Sequence, residues 1–176
     1  DMMDIIESEG VNRRDFLKWV SATTATLMLP PMFAPLVAEA TELMNRVPVI
    51  WIELQDCAGN SEALLRSSAP TVDDLLFDIL SLEYHETLQA CAGHDADRQL
   101  EEAAHLYKGK YLLFVEGAIP MAMNGQYGTI GAMGETFHDH LIRMAKDAAA
   151  IVAVGTCATF GGVPAAAPNP TGAVGV

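Results

Sequence analysis

The sequence predicts an α/β domain, a doubly wound parallel sheet with helices on both faces. Three observations carry that expectation. Short, β-branched apolar runs at 47–54, 111–116 and 150–154 alternate with stretches of helical character. Strands that read as unbroken apolar runs are those of parallel sheets, where crossover helices cover both faces. The 176 residues are 51% hydrophobic and 19% charged, which suits one packed domain and excludes a disordered or coiled-coil chain.

Residues 1–40 read as an address preceding that domain. An acidic stretch leads into Asn12-Arg13-Arg14-Asp15-Phe16-Leu17-Lys18, and a mildly apolar run over 19–37 is interrupted by Pro30, Pro31 and Pro35. It closes on Ala38-Glu39-Ala40, a small-x-small site of the kind a signal peptidase cuts. A membrane span needs roughly 20 strongly apolar residues, so this run makes a poor one. Paired arginines ahead of it give the pattern of a twin-arginine export signal. The expectation is a signal peptide at 1–40, a domain at 41–176, and a periplasmic, membrane-associated destination.

The first strand is predicted over 47–54, with Pro48 at its start, where a missing N–H is tolerated. It runs into the loop Gln55-Asp56-Cys57-Ala58-Gly59-Asn60, and Ser61-Glu62-Ala63-Leu64-Leu65-Arg66 marks a helix start. Thr71-Val72-Asp73-Asp74 has capping-box spacing and opens a helix with Leu75, Leu76, Ile79 and Leu80 on its apolar side. A short strand near 81–84 precedes a polar helix over 95–107, stopped at Lys108-Gly109-Lys110. The second strong strand spans 111–116. Residues 117–134, rich in Gly and Met, read as loop, and 135–149 as helix. The third strong strand, 150–154, delivers Gly155-Thr156-Cys157 to its end, and the tail over 161–176 is rich in Gly, Ala and Pro.

Ligands of open parallel sheets sit beyond the carboxyl ends of the strands. Cys57 and Cys157 both lie just past such ends, so two remote thiols can converge on one rim. Together they could ligate a soft metal or an iron–sulfur cluster, with reactivity or plain burial as the alternatives. Cys91 reads as a buried small hydrophobe. Three scattered cysteines make no disulfide framework. Ten Lys+Arg against 23 Asp+Glu leave −13, and six of the acids and three of the bases precede Thr41, so the domain still carries −10. Such a surface repels phosphate backbones and argues against a nucleic-acid partner. Neither G-x-G-x-x-G nor a P-loop follows a strand, so nucleotide binding has no support.

Several words of the sequence are more specific. Asp56-Cys57-Ala58-Gly59-Asn60-Ser61-Glu62 with Ala63-Leu64-Leu65-Arg66 resembles the proximal-cluster loop of [NiFe] hydrogenase small subunits. Leu82-Glu83-Tyr84-His85-Glu86-Thr87-Leu88, Val115-Glu116-Gly117-Ala118-Ile119-Pro120, Gly155-Thr156-Cys157-Ala158-Thr159-Phe160-Gly161-Gly162 and Ala167-Pro168-Asn169-Pro170-Thr171-Gly172 are similar to further stretches of that family. The resemblance implies a flavodoxin-like domain holding a proximal [4Fe–4S] cluster. That cluster would relay electrons from H2 oxidation at the Ni–Fe centre of a large subunit to a membrane-bound acceptor, such as a cytochrome b or quinone-linked subunit. It implies Cys57 and Cys157 as cluster ligands. The second cysteine of the family's C-x-x-C loop is Asn60 here, and the fourth belongs to a later G-C-P-P segment, as further clusters belong to a C-terminal region, beyond Val176. Asn60 could hydrogen-bond a cluster sulfur or leave an iron open. The expectation is that this chain alone holds no stable cluster. A cluster-free homologue that docks a large subunit or a maturation factor is the alternative, and a cluster subunit of a respiratory complex is a third.

Other residues divide between roles. Glu62 suits a helix N-terminus or a proton relay. Glu116, ending a strand, either orients the cluster loop or is solvated. His85, His94, His138 and His140 have no zinc-like spacing and read as structural or surface residues. Met121, Met123 and Met133 are either gap-fillers or an adaptable interface, and the resemblance favours the interface.

Overall fold

Four parallel strands form the central sheet of the computed structural model, which describes residues 46–176. The export segment predicted over 1–40 lies outside the described residues. The strands are β1 (Val47–Glu53), β2 (Leu80–His85), β3 (Leu112–Glu116) and β7 (Ala150–Val154), in the order β2-β1-β3-β7. The connecting helices are α1 (Gly59–Leu65), α2 (Val72–Asp74, continued by a π-helical turn at Leu75–Ile79), α3 (His94–Leu106), α4 (Phe137–Ala145) and α5 (Gly155–Phe160).

Alternation along the strands sorts the side chains. Ile50, Ile52, Leu113 and Val115 are fully buried in one cluster with Leu100 and Ala103 of α3 and Leu141 and Met144 of α4. Each such side chain contributes about 1.5–3 kcal/mol by leaving water. Trp51 stands on the other face, stacked between His85 at 4.9 Å and Phe114 at 5.3 Å, its register partners on the adjacent strands. The predicted capping box is present: the Thr71 side chain accepts from Asp74 N and Asp74 accepts from Thr71 N.

Three expectations change. The helix predicted over 135–149 is shorter, because Thr136 stays extended and caps α4 by accepting from Asp139 N. The loop over 117–134 holds short strands β4 (Ile119–Pro120) and β5 (Thr129–Ile130), with β6 (Glu135–Thr136) beside it. β4 pairs antiparallel with β8 (Ala173–Val174) from the tail, a partner too remote to read from local pattern. β7, the third strong strand of the sequence, pairs only with β3 among the described residues, and Ile151 on this edge strand is 45% exposed. No described helix is long and apolar enough to cross a membrane.

Candidate functional site

Parallel register brings the last residues of three strands into one row: Glu53 of β1, Glu116 of β3 and Val154 of β7. Cys57 follows β1 and Cys157 follows β7, so both thiols stand past the carboxyl ends of strands, on the same rim of the sheet. They are unpaired; Cys57 is exposed and Cys157 half-buried. Cys157 lies within the first turn of α5, where the sequence suggested a loop. A Cβ at Gly162 would lie 2.7 Å from the Cys157 sulfur, and one at Gly59 would lie 3.1 Å from that of Cys57. Both sulfurs therefore rest against glycines. Cys91 sits elsewhere, its thiol 2.7 Å from Gln99 Oε1.

Glu116 organises the rim. It is fully buried, and both carboxylate oxygens accept two hydrogen bonds. Oε1 accepts from Asn60 N at 2.8 Å and Asn60 Nδ2 at 3.2 Å; Oε2 accepts from Ser61 N at 3.1 Å and Ser61 Oγ at 2.6 Å. A buried carboxylate is stable when its lone pairs are filled in this way. Of the two sequence readings of Glu116, orientation of the loop is the one observed. Ala58 turns the chain into α1 through a left-handed conformation, which aims the Asn60 and Ser61 amides at Glu116.

A second layer lies beneath. Ser61 Oγ is also 2.9 Å from Glu53 Oε1 and 3.1 Å from His85 Nε2. His85 Nδ1 accepts from Thr87 N at 3.3 Å, so the proton of the neutral ring is on Nε2 and points at Ser61. Burial lowers the pKa of His85, which favours that neutral form. Thr87 Oγ1 donates to the Glu53 carboxylate at 2.5–2.6 Å. One oxygen each from Glu53, Asp56 and Glu116 lie within 4.8 Å of one another. Asp56 Oδ2 is buried with no hydrogen-bond partner among the described residues, and burial, then Glu116 and Glu53, push its carboxyl from 3.8 up to about 6. Burial likewise pushes Glu86 from 4.5 up to about 8.

The remaining candidates fall away from this network. Glu62 is exposed and pairs with Arg66 one helical turn on. His140 is buried beside Glu135 and Arg143, a structural placement. Met121, Met123 and Met133 are 44%, 72% and 95% exposed, which excludes gap-filling. Glu53, Ser61, His85 and Thr87 were not singled out in the sequence as site residues. The available signal was that two apolar strand runs, Trp51-Ile52-Glu53 and Phe114-Val115-Glu116, both end in Glu, which places two acids at one rim once the strands are parallel.

A four-iron cube asks for one ligand on each iron, usually a thiolate. The described rim supplies two thiols and one neutral amide, so it does not complete such a cube from its own residues.

Comparison with known proteins defines the family. Residues 57–176 match the family described as NADH ubiquinone oxidoreductase, 20 Kd subunit. The chain is 51% identical over 169 residues to the quinone-reactive Ni/Fe-hydrogenase small chain of Wolinella succinogenes, covering 96% of this chain and 48% of that one. It is 46% identical over 170 residues to the hydrogenase-2 small chain of Escherichia coli K12, covering 97% and 45%. The Ni-Fe-Se hydrogenase of Desulfomicrobium baculatum shares the fold with a TM-score of 0.72 and 39% identity, over 74% of this chain and 50% of that one. The chain thus spans about half the length of the relatives it matches. By the match over 57–176 the chain belongs to the NADH ubiquinone oxidoreductase, 20 Kd subunit family, and its hydrogenase small-chain relatives mark the part of that family to which it is similar.

Proposed function

We propose that the chain is the proximal-cluster region of the electron-transfer small subunit of a [NiFe] hydrogenase. Its role is to pass electrons from H2 oxidation at a large subunit toward a membrane-bound acceptor. The observation that carries this reading is the meeting of the Cys57 turn and the Cys157 turn at one rim, in a chain 51% identical to a hydrogenase small chain. Cys57 and Cys157 are the thiolates this chain contributes to an iron–sulfur cluster, which supplies one-electron chemistry when bound. The other ligands come from outside the described residues. Glu116 and Ser61 hold the loop that bears Cys57, and the apolar core beneath keeps that rim rigid. Exposed Met123 and Phe160, 72% and 78% accessible, suit contact with a large subunit. Export by the twin-arginine route to the periplasmic face follows from Arg13-Arg14 and the run behind them.

Anaerobic purification of the protein from its own cells tests this reading. Iron, acid-labile sulfide and a co-purifying nickel-containing chain are the expected result, with a visible absorption that bleaches on reduction. A colourless protein that still binds the large chain establishes the second reading, a cluster-free docking module, which the amide at Asn60 favours. A colourless protein with no partner overturns both. Replacing Arg13 and Arg14 by Lys is expected to retain the protein in the cytoplasm; periplasmic recovery of that variant removes the export proposal.

A further inference from the structure

We propose that Asn60 is a positioning residue: a hydrogen-bonded staple between the Cys57 turn and the Cys157 turn, and not a metal ligand. The inference rests on the reading of those two thiols as ligands. Asn60 belongs to α1, directly after the Cys57 turn, yet its side chain reaches across β3 to the end of β7. Nδ2 donates to Glu116 Oε1 at 3.2 Å and to the Val154 carbonyl at 3.5 Å. Val154 is the residue before α5, three positions from Cys157. The backbone N–H of Asn60 adds a third bond, at 2.8 Å to Glu116 Oε1. One residue thus links the turn that follows β1 to the ends of β3 and β7.

The orientation of the amide follows from its neighbours. Turned over, Oδ1 would face a carboxylate and a carbonyl, three acceptors with no proton between them. Both amide protons therefore face inward, one to the Glu116 carboxylate at 3.2 Å and one to the Val154 carbonyl at a long 3.5 Å. With its amide protons turned inward, Asn60 presents to the rim a neutral carbonyl oxygen, a poor ligand for soft iron. Packing supports the same arrangement. A Cβ at Gly155 would lie 2.4 Å from Nδ2 and 2.5 Å from Oδ1, so the amide occupies the space above a glycine whose φ of +79° L side chains rarely adopt. The Cys157 turn is shaped around Asn60.

Alkylation of the three thiols in the metal-free full chain, read by peptide mass spectrometry, tests this. Cys91, held by Gln99 and Gln89, touches no part of the staple and serves as the internal reference. In Asn60→Ala, and in the isosteric Asn60→Asp, both side-chain donors are gone. The Cys157 rate relative to Cys91 is expected to rise about fivefold in both, the factor the neutral hydrogen bond to the Val154 carbonyl is worth. An unchanged ratio overturns the proposal. So does an equal rise at all three thiols, or a wild-type ratio in Asn60→Asp, since either assigns Asn60 to general packing. Iron and sulfide content of the protein purified anaerobically from its own cells is a separate measurement: its absence removes the cluster reading, while the alkylation ratio still decides the staple.

Discussion

The molecule holds carboxylates in two opposite ways. At the rim, Glu53 and Glu116 are bonded by Ser61, Thr87 and the Asn60 amides, and Ser61 also meets His85; no Arg or Lys among the described residues bonds either carboxylate. On the far side of α3 and α4, one cation does the work. Arg143 binds Glu135 through Nε and Nη2, Glu101 lies against its Nη1, and His140 Nδ1 is 3.0 Å from Glu135. The titration behaviour diverges accordingly. Hydrogen bonding from Arg143 holds Glu135 below the usual carboxylate range, whereas burial, with neighbouring acids, lifts Asp56 and Glu86 above it. Dipoles fix geometry and leave the negative potential in place, which suits a rim that positions thiols. An ion pair cancels potential, which suits a helix–helix seam.

Four measurements sharpen or break that contrast. Glu116→Ala should have the largest effect. It removes four hydrogen bonds and takes the acceptor from the Asn60 and Ser61 backbone N–H groups, while the Ser61 hydroxyl keeps Glu53, a loss of roughly 3–4 kcal/mol in urea unfolding, with little dependence on salt. A loss below about 1 kcal/mol would mean that water replaces Glu116 and that the rim is not built on it.

Next comes a pH effect at Glu86. Its folded pKa of about 8 lies above its ordinary 4.5, so the stability it contributes is complete below pH 4.5 and is lost as pH rises through about 8. Glu86→Gln should therefore gain on the wild type steadily across that interval, as followed by thermal unfolding. A constant difference between the two proteins from pH 4.5 to 8 would show that the carboxyl is not held neutral.

Arg143→Met should cost about 1 kcal/mol in low salt, because the pairs are part-exposed, and the cost should shrink as salt screens them. Equal losses at low and high salt would make Arg143 a packing residue rather than an electrostatic one. The smallest effect belongs to Arg66→Ala. Both partners of the Glu62–Arg66 pair are largely exposed, so the change should stay within about 0.5 kcal/mol. A larger loss would show that the pair braces the Cys57 turn and that the rim depends on a cation after all.

Much of the site was legible because it sits where strands end. Apolar runs located β1, β3 and β7 to within a residue, and their common direction follows from the intervening helices, so Cys57, Cys157 and Glu116 could be placed on one rim in advance. Pairing that skips along the chain was not legible. β4 and β8 are joined by contacts over more than 50 residues, and two-residue strands carry no periodicity. Asn60 shows the limit most clearly. Its sequence position marks it as a departure from a cysteine pattern, but its partners, Glu116 and Val154, lie 56 and 94 residues away.

The amino-acid sequence alone determined the α/β class and the acidic character of the domain, because burial and charge are written in local composition. It also determined which thiols stand past strand ends. Only the tertiary structure decided what the rim's polar groups do. Parallel register set Glu53, Glu116 and Val154 side by side, and that adjacency turned Asn60 inward and set Asp56 beside two other acids, while the hydrogen bond from Thr87 fixed the His85 tautomer. Hydrogen bonds and desolvation act through distances of a few ångströms, and such distances between residues far apart along a chain exist only once it has folded.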